Sequence, residues 1–272
     1  MTRAFAACLA ILAAGSAHAA SLPDAIRQAG MFRLSVNATY APMEYHDPAT
    51  NELKGLDIDI ADALAKKLGV KIIWSDVAFA ELIPSLATGR TDFIISGLSD
   101  RATRRETMDF IDYLKTGAQF FTMADSAAKE PTDLCGKKVG TTRSTSFPGD
   151  IEAWSKRSCE AAGKPPVLYV PGENSIDVRN QMKQGRIDAA VQGSETLPYA
   201  MQNEAGKYRI LGAPFTLGYQ GIAFRKADTA LREAIMEALR DLIADGTYVA
   251  ILKKYGLGDN AVAEPLVNAS PL

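Results

Sequence analysis

Apolar and polar positions along the chain fall into short runs that switch between a period of two and a period near 3.6. Residues 32–36 (FRLSV) predict a buried strand. The segment DIDIADALAKKLG then sets Ile60, Ala61, Leu64 and Leu68 on one face of a helix that Gly69 would close. Residues 70–77 (VKIIWSDV) predict a second strand, residues 79–88 a helix ended by Gly89, and residues 92–96 (DFIIS) a third strand. Alternation of this kind predicts parallel strands joined by crossover helices.

The same order returns further on. Residues 137–141 predict a strand, and a helix starts near Ser146 to Pro148. Residues 166–170 predict another strand, 175–184 a helix ended by Gly185, and 187–192 a strand. One segment is shared in type and spacing: Leu86-x-x-Gly89-Arg90-x-Asp92 leads to Gly97, and Met182-x-x-Gly185-Arg186-x-Asp188 leads to Gly193. A common helix-to-strand turn could recur by chance, but each copy stands at the same point of its own unit, which favours two similar α/β lobes. The chain closes with Leu231, Ile235, Leu239 and Leu242 in helical rhythm up to Gly246, a shorter helix from Thr247 to Tyr255, and residues 259–272, expected as a loose tail. No low-complexity linker separates the lobes, so their join is expected to be strands near 114–118 and 216–222.

The first residues stand apart. Met1-Thr2-Arg3 is followed by an apolar run over residues 4–14 and by Ala17-His18-Ala19, the pattern of a secretory signal peptide cut between Ala19 and Ala20. The run is about half the roughly 20 residues that a spanning helix needs. Export changes the reading of the cysteines. Cys8 lies inside the leader, which leaves Cys135 and Cys159 as an even pair in an oxidising compartment. A disulfide between them is expected, worth about 3 kcal/mol in the chain-entropy account; two buried thiols are the alternative. The formal charge of -2 over 272 residues gives no basic balance for nucleic acid and no polybasic tail for a membrane.

Chemistry is sought at the carboxyl ends of the strands, where open parallel sheets bind ligands. These positions are Asn37 to Glu44, Phe79 and Gly97 to Arg104 in the first unit, and Thr141 to Phe147 and Gln192 to Glu195 in the second. Arg104 is the leading candidate, because a guanidinium in a cleft grips a carboxylate with two parallel hydrogen bonds. Next to Arg105 and Glu106 it fits a solvated helix face equally well. Ser99 and the backbone around Gly97 could donate to the same group. The run Thr141-Thr142-Arg143-Ser144-Thr145-Ser146 brings hydroxyls and N–H groups to a helix start, suited to an anion or to plain capping. Tyr40 and Phe79 suit either apolar walls or core packing. His46 is the only histidine after the leader; no metal-ligand spacing and no Gly-rich phosphate loop occurs, so no metal and no cofactor is expected.

These residues carry a family resemblance across 31–258. Tyr40-Ala-Pro-Met-Glu44-Tyr is followed by Gly55-Leu-Asp57-Ile-Asp59, Leu82-Ile-Pro84-Ser-Leu86, Gly97-x-Ser99 with Arg104, and Asp109-Phe110. Leu134-Cys-Gly136-Lys-Lys138-Val-Gly140, Gly185-Arg-Ile-Asp188-Ala, Gly221-Ile-Ala-Phe and Asp245-Gly246-Thr247 complete the set. The chain resembles family 3 extracellular solute-binding proteins, the periplasmic receptors for polar amino acids in ABC importers. The resemblance implies an α/β, two-lobed periplasmic-binding-protein fold of type II, each lobe an open, mainly parallel sheet with flanking helices, joined by two hinge strands. It implies the layout 1–19 leader, 20–116 first lobe, 117–216 second lobe, 217–258 return to the first lobe and 259–272 tail. It further implies a monomer without enzymatic activity, which closes on an amino acid or related carboxylate and hands it to a membrane permease. Arg104 would hold the ligand carboxylate with help from Ser99, Gly97 and the Thr145–Ser146 backbone, while Tyr40 and Phe79 flank the ligand and Asn37 stands nearby. The sequence departs from the family at Gly193, where many members carry an aspartate for the ligand ammonium, and at Arg101, where threonine is frequent. Glu195, Glu44 and Gln192 are the available substitutes at the ammonium end. An enzyme on the same fold, a cyclohexadienyl dehydratase-like protein with Glu195 or Glu44 as general acid, is the alternative reading.

Overall fold

The computed structural model describes residues 22–269; the expected leader, with Cys8, lies outside them. Two large sheets organise the chain. The first has the order Ala261–Val267, Met108–Thr116, Gly218–Arg225, Phe93–Ile94, Met31–Val36, Lys71–Asp76. The second has the order Leu168–Gly172, Lys138–Thr142, Ala189–Gly193, Ala118–Met123, Tyr208–Leu211. In each, the three strands read from the alternating pattern are parallel, and the strands beyond them are antiparallel. The sheets are therefore mixed rather than mainly parallel. The chain crosses from one sheet to the other and back, and the strand by which it enters each sheet, Ala118–Met123 in the second and Gly218–Arg225 in the first, runs against the βαβ direction.

The repeated Gly-Arg-x-Asp segment performs one task twice. Gly89 and Gly185 both take left-handed backbone, with φ of 72° and 68°, which ends a helix at no steric cost. Asp92 and Asp188 then turn back onto the first strand of their sheets. Arg33 N donates to the Asp92 carboxylate at 2.7 Å, and Lys138 N to that of Asp188 at 2.8 Å. The same aspartates donate their own N–H to the carbonyls of Arg33 and Lys138, each at 2.8 Å.

Helix packing follows the apolar stripes. Leu56–Leu68 buries Leu56, Ile60, Ala61 and Leu64, and Thr229–Ala244 buries Leu231, Ile235, Leu239 and Leu242, all in one core with Phe32, Leu34 and Phe93. The second sheet holds its own core of Phe120, Val139, Ile151, Trp154 and Val191. Cys135 and Cys159 are joined by a disulfide.

Residues 259–269 are not a loose tail. Ala261–Val267 pairs antiparallel with Met108–Thr116 at the edge of the first sheet. Asn268 Oδ1 accepts from Phe110 N at 2.9 Å, and Ala269 N donates to Asp112 at 2.9 Å.

Between the sheets the chain crosses at Gly117 and again at 212–217. A Cβ on Gly117 would strike the Thr216 carbonyl, so only glycine lets the two crossings lie side by side. Ala118 N donates to the Thr216 hydroxyl at 2.9 Å and Phe215 N to the Ala118 carbonyl at 2.8 Å.

Candidate functional site

The strand ends predicted from the sequence converge on one pocket, lined by Tyr40, Phe79, Gly97, Ser99, Arg104, Thr145, Ser146 and Phe147. Seven of these were expected as ligand contacts; Phe147, the first residue of helix Phe147–Ser158, ends the stretch Thr141 to Phe147 named from the sequence but was given no role of its own. Its position after the Thr/Ser run was the available signal. Asn37, Gln192 and Glu195 do not line the pocket. Asn37 Nδ2 donates to the Val77 carbonyl at 2.8 Å and its Oδ1 accepts from Thr39, so it braces the loop that carries Tyr40.

Arg104 comes from the short helix Ala102–Arg105, and its Nη1 donates to the Ser99 carbonyl at 2.8 Å. Among the described residues it forms no ion pair within 4 Å. Burial, then the like charge of Arg101, push its pKa down to about 10, so the cation is held where water serves it poorly. Opposite it, Ser146 Oγ is buried without a hydrogen-bond partner. Thr145 Oγ1 is engaged, donating to the Thr142 carbonyl at 2.7 Å. Arg104 and the spare Ser146 hydroxyl line the same pocket, a donor set suited to a planar anion. A wider groove of about 420 Å³ adjoins through Ser99, Ser146 and Phe147 and is crossed by the Arg101–Asp150 ion pair at 2.6 Å.

The wall facing Arg104 rests on buried acids. Gly97 N donates to Asp57 at 2.7 Å, and Tyr113 donates its hydroxyl proton to the same carboxylate at 2.6 Å. Ser96 Oγ donates to Glu44 Oε1 at 3.1 Å. Burial, then the charge of Asp57, raise Glu44 well above the usual carboxyl range, and burial raises Asp57 to about 6. Gly97 has φ of 53°, and a Cβ there would lie 2.9 Å from the Tyr40 ring. The site thus requires glycine for its backbone and for the ring laid on it.

Glu195 lies behind Tyr40, 1% exposed. Its Oε1 accepts from Tyr40 OH at 2.9 Å and from Gln220 Nε2 at 2.8 Å, and its Oε2 accepts from Thr116. Gly193 N donates to Tyr40 Oη at 3.0 Å. Burial raises the Glu195 pKa, and these donors hold it back. Gln192 is buried and meets Arg179 at 3.5 Å. Neither Glu44 nor Glu195, the acids a dehydratase would need, lines the pocket.

The family model of bacterial extracellular solute-binding proteins, family 3, matches residues 32–258. The chain belongs to that family. It is 32% identical over 258 residues to the histidine-binding periplasmic protein of Salmonella typhimurium, covering 90% of this chain and 93% of the relative. It is 30% identical over 214 residues to the ABC transporter glutamine-binding protein GlnH of Bacillus subtilis, covering 77% and 75%. Among solved structures, an ancestral arginine-binding protein bound to arginine superposes with a TM-score of 0.74 at 33% identity, covering 84% of this chain and 98% of the other. By their names these relatives are binding proteins.

Proposed function

We propose that this protein is the exported receptor of an ABC importer. With its leader removed it works as a monomer in the periplasm, closes two lobes on an amino acid or closely related carboxylate, and presents the closed form to a membrane permease. The lobes are residues 20–116 with 217–258, and 117–216. The observation that carries this reading is Arg104, a partly buried guanidinium with no acid within ion-pair distance among the described residues, in one pocket with the unpartnered Ser146 hydroxyl. A ligand carboxylate completes both. Tyr40 and Phe79 supply walls, and Gly97 and Ser99 the backbone edge. The pocket encloses about 30 Å³, room for one water-sized molecule, so entry of a solute requires the lobes to part. The names of the relatives, receptors for histidine, glutamine and arginine, support the ligand class and the importer.

Calorimetry against the standard amino acids, preceded by native mass spectrometry for a retained small molecule, tests the reading. Arg104→Ala is expected to weaken the best ligand by about 2 kcal/mol or more, roughly thirtyfold, because the carboxylate would be buried without its partner. Unchanged affinity in that variant removes Arg104 from the site.

A further inference from the structure

The Arg104 pocket has room for little more than a carboxylate, at about 30 Å³, but it is not an isolated space. Ser99, Ser146 and Phe147 line it and also line the adjoining groove of about 420 Å³, a volume within the range of small-molecule sites. A ligand whose carboxylate sits on Arg104 therefore has this groove beside it for the rest of its body.

The walls of the groove decide what kind of body fits. Ala102, Ala118, Phe147, Leu217 and Tyr219 give it apolar surface, and Leu217 is 52% exposed, so the protein leaves much of that side chain uncovered. Gly149, in the first turn of helix Phe147–Ser158, and Gly218, at the start of strand Gly218–Arg225, also line it. A Cβ on either would meet nothing within 4 Å, and neither takes left-handed backbone, so the fold itself does not need glycine there. Their missing side chains keep the groove wide. The charged residues of the lining are closed in pairs, Arg101 with Asp150 at 2.6 Å and Arg105 with Asp100 at 2.5 Å. A charge entering here would give up water and find each opposite charge of the lining already paired, whereas an uncharged body gains the apolar wall without that cost.

Resting on the reading of Arg104 as a carboxylate receptor, we propose that the groove is the side-chain subsite and that it selects amino acids whose long side chain carries no charge. Arg104 fixes the carboxylate end. Ser99, Ser146 and Phe147 form the passage between the two spaces, and Phe147 and Leu217 are the apolar contacts of the side chain.

Calorimetry with matched pairs that differ in side-chain charge tests this: L-citrulline against L-arginine, and L-glutamine against L-glutamate. The wild type is expected to favour the uncharged member of each pair about tenfold or more. L-Alanine, too short to fill the groove, is expected to bind about tenfold or more weakly than L-citrulline. Gly149→Leu places a side chain in the groove and is expected to bring L-citrulline to within about threefold of L-alanine, while L-alanine itself changes by less than about threefold. Leu217→Glu, at an exposed position, adds an unpaired negative charge to the groove and should shift the citrulline-to-arginine preference toward L-arginine by about threefold or more. It covers the case in which Gly149→Leu does not fold. A wild type that binds the charged member of either pair as tightly as its partner overturns the proposal. So does an equal loss of L-citrulline and L-alanine in Gly149→Leu, the mark of impaired closure alone, or an unchanged preference in Leu217→Glu. Binding of none of the five probes overturns it as well. Carboxylate capture is judged separately: binding that Arg104→Ala abolishes and the groove variants leave untouched keeps that function without the groove.

Discussion

Gly193 shows how one hydrogen atom in place of a side chain arranges a site. The Glu195 carboxylate occupies the position of its missing Cβ, and through that placement it holds Tyr40, Thr116 and Gln220 together. Gly193→Ala is expected to push the carboxylate out of this set of donors, strand those donors in a buried place, and lower stability by about 1–3 kcal/mol, read as a fall in melting temperature of several degrees. A variant that melts like the wild type would show that Glu195 has another low-energy position. At this scale the sequence was uneven. That Arg104 lines the pocket was legible through the family resemblance rather than from its neighbours, since next to Arg105 and Glu106 it fits a solvated helix face equally well. The role of Glu195 was not, because its three side-chain donors come from positions 40, 116 and 220, and no local pattern joins them.

At the scale of elements, legibility followed the source of the stabilising energy. Helices with their own apolar stripe, such as Leu56–Leu68 and Thr229–Ala244, lay close to their predicted bounds, because the stripe that buries them is written locally. The last strand was missed because its partner supplies the reason for it. Pro265 and the small residues around it argue against a strand, and the ladder in fact jumps from Ala261 to Leu266, with Pro265 inside the break at the sheet edge, where a missing N–H costs little. The strand is pinned by Ala269 N on Asp112, whose other oxygen faces Asp100 with no donor between them. Burial pushes Asp112 up to about 7. An acid with a higher pKa in the fold than in the open chain costs nothing below about pH 4, where both states are protonated. As pH rises the unfolded chain ionises first, so stability falls from about pH 4 to about pH 7 and then levels off. Asp112→Asn keeps an acceptor for Ala269 and offers an N–H to Asp100. Its melting temperature is expected to exceed that of the wild type at pH 8, with the gap closing at pH 4. A lower melting temperature at pH 8 would mean that the charge itself is needed, through Arg105, which pairs with Asp100.

At the scale of the whole molecule the question is what holds the two sheets' elements against each other. The hydrogen bonds and ion pairs that cross between them include three groups: Tyr40, Thr116 and Gln220 to Glu195 with Tyr40 to Gly193, Ser175 to the Thr39 carbonyl, and Arg101 to Asp150. The first two lie on the Tyr40 side of the Arg104 pocket and the third across the adjoining groove, so the pocket is tied on two flanks. Arg101 and Asp150 are 30% and 15% exposed, between the surface regime, where an ion pair contributes little, and the buried one, where losing a partner costs several kcal/mol. A value of about 1–2 kcal/mol is reasonable for such a pair. On the proposed closure its members sit on different lobes, so that energy is present only when the lobes are together and enters binding through the fraction of molecules already closed. Asp150→Asn should therefore weaken every ligand by a similar factor, about five- to thirtyfold, mostly through faster release. The radius of gyration of the ligand-free protein should rise in X-ray scattering. Neutralising Arg101 should add little once Asp150 is gone, and high salt should reproduce part of the loss in the wild type alone. A ligand-dependent loss would place Asp150 in recognition instead, and an unchanged release rate with an unchanged radius would show that closure rests on the Tyr40 side by itself.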